Sequence, residues 1–461
     1  MDSFRDHLAT LDEQGKRRWI FAQQPKGRFY NYRKALSYVY FLLFFGLPFV
    51  QVHGQPFLMI NIPAGRFILF GKIFWPQDFF VLGLLMITFI LFIILFTAAF
   101  GRLFCGWICP QTNFMELLFR RVEYWIAGNA NEQRTLRTQP WTAKKIRIVT
   151  LKHGVFFLLS FIIANFFLAY IIGMPALWRI ITGPLSAHLG GFFSILLFSA
   201  VFYGVYAFFR EQVCTVVCPY GRLQGVLQDK NSLIVAYNYK RGEPRHKPSK
   251  TAATGLGDCI DCLQCVKVCP TGIDIRNGLQ MECVGCTACI DACDHVMERI
   301  GKPKKLIGYA SENGIAENAP LRYTPRMKTY TLLCLLILCL DGFLLLSRKA
   351  VDTTIIRTPG LLYQERGADS VSNLYNLTAI NKTTHDMPLT IKVESPAGGQ
   401  VQMIGKPVVQ VKAETQGAGT FFIVLPARTI RRQKTMIRLG VYTAGGAKIS
   451  NITTAFIGPV Q

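Results

Sequence analysis

The chain has 461 residues, about half of them apolar, and 51 Lys and Arg against 27 Asp and Glu give it a net charge of +24. That length accommodates several domains, and the positive mean hydropathy traces to long uncharged runs rather than to one large soluble core. The basic residues flank those runs instead of forming a stripe interleaved with aromatics, which sets nucleic acid aside as a partner and points to membrane lipid.

A polar, basic leader covers residues 1–34 and contains Lys16, Arg17, Arg18, Lys26, Arg28, Arg33 and Lys34. Five apolar runs are predicted to be transmembrane helices: 35–52, 79–100, 154–173, 189–209 and 329–346. The first has no small-residue cleavage site and exceeds the apolar stretch of a signal peptide, so it reads as an uncleaved anchor. Residues 54–78, broken by Pro56, Pro63, Gly65 and Pro76 and carrying Trp75, are predicted to lie in the outer interface. Segment 101–153 holds nine Lys and Arg, whereas 53–78 and 174–188 together hold three, Arg66, Lys72 and Arg179. By the positive-inside rule, the N-terminus and segments 101–153 and 210–328 face the cytoplasm, and 347–461 lies outside.

Two related motifs stand just past the cytoplasmic ends of the second and fourth runs: CGWICP with Cys105 and Cys109, and CTVVCPYG with Cys214 and Cys218. On a regular helix, residues four apart differ by about 40° around the axis, so each pair is predicted to share one face, and equal depth lets the pairs converge. Proline after each pair is expected to help end the span. Four soft thiolates can hold Cu(I), cycle between dithiol and disulfide, or ligate a further cluster; the spacing leaves all three open. The bland alternative is small apolar residues at helix ends, and the repetition of the motif at equivalent positions weighs against it.

After a Pro- and Gly-containing basic linker at 240–257, eight cysteines follow in two matching C-x2-C-x2-C-x3-C blocks. A tight C-x2-C-x2-C loop supplies three thiolates to a cubane cluster, and the fourth cysteine, predicted to start a helix leading away, ligates the cluster of the other block. Cys259, Cys262, Cys265 and Cys293 are thus expected to hold one 4Fe–4S cluster, and Cys283, Cys286, Cys289 and Cys269 the second. Pro270 follows Cys269, whereas Asp294 takes that place in the second block. Structural zinc fits poorly, because its pairs come as C-x2-C separated by a long spacer. A reducing cytoplasm suits these thiolates, and 347–461 has no cysteine.

In the fifth run, Cys334 and Cys339 lie about 140° apart on a helix and cannot face one ligand together. Asp341 in the same run is a functional candidate by default, close enough to the outer end to reach water. His53, His153 and His188 read as interfacial or structural, with His53 and His188 the one pair at equal depth. Beyond residue 349, Val-, Ile-, Thr-, Phe- and Tyr-rich runs at 374–380, 389–393, 408–413, 420–425, 436–442 and 449–456 are predicted to form an immunoglobulin-like β-sandwich that serves as a docking module.

The predicted whole is a multi-domain membrane protein: a leader (1–34), a four-helix membrane region (35–209), a cytoplasmic segment (210–328) with a ferredoxin-like α+β two-cluster insert at about 255–300, a fifth helix (329–346) and a β-sandwich (347–461). WPQDF at 75–79, CGWICPQT, VCPYGRLQ, the block CVKVCPTGIDIRNGLQMECVGCTACIDACD and the β-rich tail together resemble the FixG/CcoG/RdxA family of membrane-bound polyferredoxins. The resemblance implies a bacterial inner-membrane protein with cytoplasmic clusters and a periplasmic tail. It implies a role in assembling cbb-type haem–copper cytochrome oxidase, as a cupric reductase making Cu(I) from Cu(II) for copper chaperones or assembly factors. Carried onto this chain, the cluster ligands are the eight cysteines from Cys259 to Cys293, and the catalytic thiols are Cys105, Cys109, Cys214 and Cys218. A quinol-oxidising subunit, similar to the membrane ferredoxins of periplasmic nitrate and nitrous-oxide reductases, is the alternative; a non-catalytic scaffold with redox-sensing clusters is the third reading. The electron donor is unidentified, and a homodimer is compatible with the β-domain and the Gly-containing spans.

Overall fold

The structure, a computed structural model, describes residues 9–12, 14–52, 54–62, 65–75, 78–247, 255–318, 323–347, 350–367, 369–383, 385–405, 407–413, 415–430, 432–443 and 445–459. His53, Pro63, Pro76 and the centre of the 240–257 linker lie outside the described residues. Two compact units are present, Met1–Asp341 and Gly342–Gln461.

Among the described residues, four helices are long and apolar enough to cross a membrane: Phe79–Phe100, Ala143–Ile172, Leu189–Phe209 and Pro325–Leu346. The first apolar run differs from expectation. It belongs to a helix, Arg28–Gly46, that carries Arg28, Arg33 and Lys34 and gives way to a 3-10 turn containing Pro48. Its uncharged part, 35–46, is about 18 Å long at 1.5 Å per residue, short of a hydrocarbon core of about 30 Å. The predicted interfacial segment folds as β-structure instead: a small hairpin, Gln51–Val52 with Gln55–Pro56, then a meander of Leu58–Asn61, Arg66–Leu69 and Lys72–Phe74. Gly54, Gly65 and Gly71, all at positive φ, stand between its short apolar strands.

The helix Phe79–Phe100 buries only Thr88, Thr97 and Ala98, so its surface is turned outward as a lipid-facing helix requires. Thr88 donates to Asp341 Oδ2 at 2.6 Å. Asp341 is 1 % exposed and paired to a neighbouring helix, not placed at water as its position near the run's end predicts. Around Ala143–Ile172, Phe114, Met115, Phe119, Phe156, Ile163 and Tyr206 form an aromatic-rich core. The rings of Phe119 and Tyr206 stack at 4.3 Å.

The cysteine-rich insert is closed by an antiparallel pair of strands, Ile234–Tyr237 and Ile307–Ala310, and carries the helix Ala288–Arg299. The leader is not a free cytoplasmic arm. Gln23 N–H donates to Lys267 O, and Ala9 N–H to Glu282 Oε1. Asp291, on the insert's helix, accepts the N–H groups of Phe29 (3.1 Å) and Tyr30 (2.8 Å) and so caps the N-terminus of Arg28–Gly46 from outside. A Cβ at Gly27 would lie 2.4 Å from Asp291 Cγ, so only glycine leaves room for this cap.

The second unit is a sandwich of two antiparallel sheets. One orders the strands Gln400–Met403, Gln416–Pro426, Ser370–Asn381 and Val351–Arg357; the other orders Val409–Val411, Met387–Ser395, Lys434–Thr443 and Lys448–Ile457. Alternate residues point inward, and Phe421, Ile423, Leu425, Ile437, Leu439, Val441 and Phe456 are fully buried. Tyr375 crosses between sheets, its OH donating to Ala455 O at 2.8 Å. The strands 351–357 and 400–403 were not anticipated, because each is short or interrupted by polar residues.

Candidate iron–sulfur and thiol centres

The two cysteine blocks fold alike. Residues on either side of each middle cysteine adopt the left-handed region: Asp261 and Leu263 around Cys262, Gly285 and Thr287 around Cys286. Such alternation turns successive N–H groups inward and makes an anion-binding concavity of the kind iron–sulfur sites use. Cys259, Cys262, Cys265 and Cys293 line one small cavity together with Tyr237, Ile260, Leu263 and Met297. Cys269, Cys283, Cys286 and Cys289 line another with Val235, Ile273, Ile275 and Val284, and Cys265 reaches its edge. The structure therefore brings the two predicted quartets together, each crossing between blocks. The fourth cysteine is placed differently from expectation. Cys293 shares one helix with Cys289, four residues apart, and Cys269 lies just beyond the helix Gln264–Lys267.

Burial pushes the thiols of Cys265, Cys283 and Cys293 up to about 12 and that of Cys286 up to about 11. Without metal these loops bury neutral sulfurs; binding iron displaces the protons. Among the described residues, no three His, Cys, Asp or Glu are drawn tightly enough to hold a single ion. Four thiols around each small cavity, three of them from a C-x2-C-x2-C loop, match the ligand set of a 4Fe–4S cluster better than that of zinc.

The C-x3-C-P motifs also repeat each other, but not as a shared helical face. Both spans end before the motif, at Gly101 (φ 55°, ψ −131°) and Arg210 (φ 52°, ψ −121°). Arg210 thus holds a conformation that favours glycine, tied by buried bonds to Glu123 at 2.7 and 3.3 Å. After that kink, Cys105 sits on the short helix Leu103–Trp107 and Cys214 on the π-turn Val213–Val217. Cys109 and Cys218 each cap the following helix with proline at its first position. The proline therefore starts a helix rather than ending the span, in keeping with its lack of an N–H.

The four thiols interact electrostatically: Cys214 senses Cys105, Cys109 and Cys218, and Cys105 senses Cys109 and Cys218. Desolvation pushes both Cys105 and Cys214 up to about 12. Cys105 donates to Gln224 Oε1 at 3.1 Å, and the backbone N–H groups of Gln111 and Thr112 bond to Cys109. Gln224 is fully buried, and its Nε2 has no partner among the described residues.

One junction ties this site to the second block. A Cβ at Gly106 would lie 2.6 Å from Gly285 O, so the two loops meet backbone to backbone. Arg33 donates to Gly106 O (2.8 Å) and Cys286 O (2.9 Å), and Arg102 to Met281 O and Cys283 O. Sequence reasoning used Arg33 only as a topological charge and missed Arg102, Gln224 and Gly106. The glycine inside CGWICP, between two cysteines, was the available signal for a close approach. Cys334 and Cys339 remain apart from these centres, Cys339 being exposed. His153 bonds Tyr203 OH at 2.8 Å, and His188 precedes the helix Leu189–Gly204.

A family model of the 4Fe–4S dicluster domain matches residues 209–312, one of a 4Fe–4S binding domain matches 82–131, and one of the Ig-like fold at the C-terminus of FixG matches 342–459. Protein RdxA of Cereibacter sphaeroides is 35% identical over 88% of this chain and 89% of its own length. The chain belongs to the FixG/RdxA family. Protein RdxB of the same organism is 32% identical over 96% of this chain and 97% of its own. Nitrogen fixation protein FixG of Rhizobium meliloti is 38% identical over 66% of this chain and 60% of its own. As a FixG/RdxA protein with a dicluster domain, this is a membrane-associated iron–sulfur electron-transfer protein with an Ig-like C-terminal domain.

Proposed function

We propose that this FixG/RdxA protein is a cupric reductase that delivers single electrons to Cu(II) at the thiols of Cys105, Cys109, Cys214 and Cys218. The eight ferredoxin cysteines are assigned as cluster ligands in the two quartets named above. When bound, the two clusters supply one-electron transfer, and each Cu(II) takes one electron to become Cu(I). The observation that carries the reading is the Gly106–Gly285 contact, which brings the backbone of the thiol loop directly against that of the second block. Soft sulfurs favour the reduced ion, so binding there pulls the reaction forward. Assembly of a cbb-type oxidase is the proposed use of the Cu(I). In this reading the Arg28–Gly46 helix, too short to span alone, crosses together with the 3-10 turn Leu47–Phe49 as a fifth membrane element, clusters and N-terminus face the cytoplasm, the sandwich is periplasmic, and copper chaperones or oxidase assembly factors are the partners.

The test is anaerobic. Protein reduced with dithionite and desalted is mixed with stoichiometric Cu(II), and cluster absorbance and Cu(I)-chelator colour are followed together. Clusters should reoxidise as Cu(I) appears, with Cys105→Ser and Cys214→Ser slowing the step at least tenfold. Clusters that stay reduced would remove copper as the acceptor and leave the quinol-oxidising or scaffold reading. A second reading of the four thiols, a further cluster, is favoured by the 4Fe–4S family match over 82–131, which contains Cys105 and Cys109. Iron content separates the two: about eight irons per chain for two clusters, about twelve for three.

A further inference from the structure

The two ferredoxin sites share their backbone but differ in the charge around them. Near the second quartet stand Arg33 (3 % exposed) and Arg102 (8 % exposed). Their hydrogen bonds go to the neutral carbonyls of Gly106, Cys286, Met281 and Cys283, and among the described residues neither forms an ion pair. Glu116, which acts on Cys286, is itself paired with Arg120 at 3.5 Å. Glu282, next to Cys283 in sequence, accepts from the Ala9 N–H.

The first quartet has the opposite surroundings. The cation that lines its cavity, Arg276, is claimed by two carboxylates: Asp274 at 2.6 Å and Asp261, which lies inside the cysteine loop. Asp274 also acts on Cys265, and Asp294 acts on Cys293. Arg245, farther out, is paired with Glu243 at 2.7 Å. With Arg276, Arg241 and Lys302 set against Asp258, Asp261, Asp274 and Asp294 at the first site, and Arg33 and Arg102 against Glu282 at the second, the local balance is net negative at the first and net positive at the second.

Reducing a cluster adds one negative charge in a buried place where salt screens poorly. Uncompensated cations nearby favour that reduced form, and carboxylates oppose it; net charge is one of the levers that set cluster potentials. We propose that the second site (Cys269, Cys283, Cys286, Cys289) has the higher reduction potential, and that Arg33 and Arg102 are the positioning residues that set this order. An electron entering the protein then rests on the side that touches Gly106 and the C-x3-C-P thiols. This extends the electron-transfer reading and is independent of copper as the acceptor.

The experiment is an EPR-monitored redox titration of the full-length, two-cluster protein in detergent, without copper. Two midpoints are expected. Arg102→Gln and Arg33→Gln should each lower the higher midpoint by a tenfold change in its equilibrium constant, 59 mV for one electron, and leave the lower one in place. Arg102→Lys should keep the wild-type value, which separates charge from packing. Asp261→Asn, which removes one of the two carboxylates on Arg276, should raise the lower midpoint. If the arginine variants move the lower midpoint, or neither, the proposal is overturned. Should they fail to hold the second cluster, Asp261→Asn decides: a raised lower midpoint supports the assignment, and an unmoved one ends it. Because no copper is present, failure of copper reduction leaves this result standing, and the converse holds.

Discussion

The ferredoxin blocks and the C-x3-C-P motifs are both duplicated cysteine sites, yet they are built in different ways. In the blocks, four left-handed residues shape two loops, and the sulfurs that converge come from within 35 residues of chain, Cys259 to Cys293. In the C-x3-C-P pair, the convergence is made by two separate helical spans ending at matching kinks, with more than a hundred residues between the motifs. Local spacing suffices to build the first kind of site. The second kind depends on long-range packing, on Gln224 beneath Cys105, Tyr220 against Thr97 and Gly106 against Gly285.

The largest effect should come from breaking the local site. Cys286→Ala is expected to remove at least one cluster, taking iron from about eight to about four per chain or lower, whereas Cys109→Ala leaves iron unchanged under the copper reading. Iron analysis of both variants compares the two systems directly. Next, Gly106→Val puts a side chain into a 2.6 Å gap against backbone that cannot yield. Stopped-flow reoxidation by Cu(II) should slow more than tenfold while cluster absorbance persists.

Arg210→Ala removes a buried partner of Glu123 and should cost about 3 kcal/mol, read as a loss of thermal stability in detergent. Arg210→Gly should lose less, because about 1 kcal/mol of backbone strain is relieved at the same kink; Arg210→Gly no better than Arg210→Ala would show that the kink stores no strain. At the small end, Cys334→Ala and Cys339→Ala lie outside both systems and should stay within about 0.5 kcal/mol in stability, with iron and copper reduction unaltered.

This contrast also explains what was legible in the sequence. The quartets could be read because three intervals in each cysteine block specify them, and six of the sandwich strands because alternation is local too. The kinks at Gly101 and Arg210 could not, since a span continuing through Cys105 satisfies the same hydropathy. The 54–78 segment was ambiguous for a similar reason: short apolar runs between prolines fit an interfacial coil and a β-meander equally well. Asp341 was legible as unusual but not as Thr88's partner, and the shortness of the first membrane helix turned on the break at Pro48.

The leader's attachments bear on the order of biogenesis. Ala9, Gln23, Phe29 and Tyr30 leave the ribosome first, yet their partners Glu282, Lys267 and Asp291 are translated more than two hundred residues later. Until the insert exists, the start of the Arg28–Gly46 helix has no acidic cap and the leader has nowhere to dock. Contacts of such sequence separation form slowly, so the chain's first segment is among the last to reach its place. Docking of residues 9–30 is thereby tied to the folding of the insert.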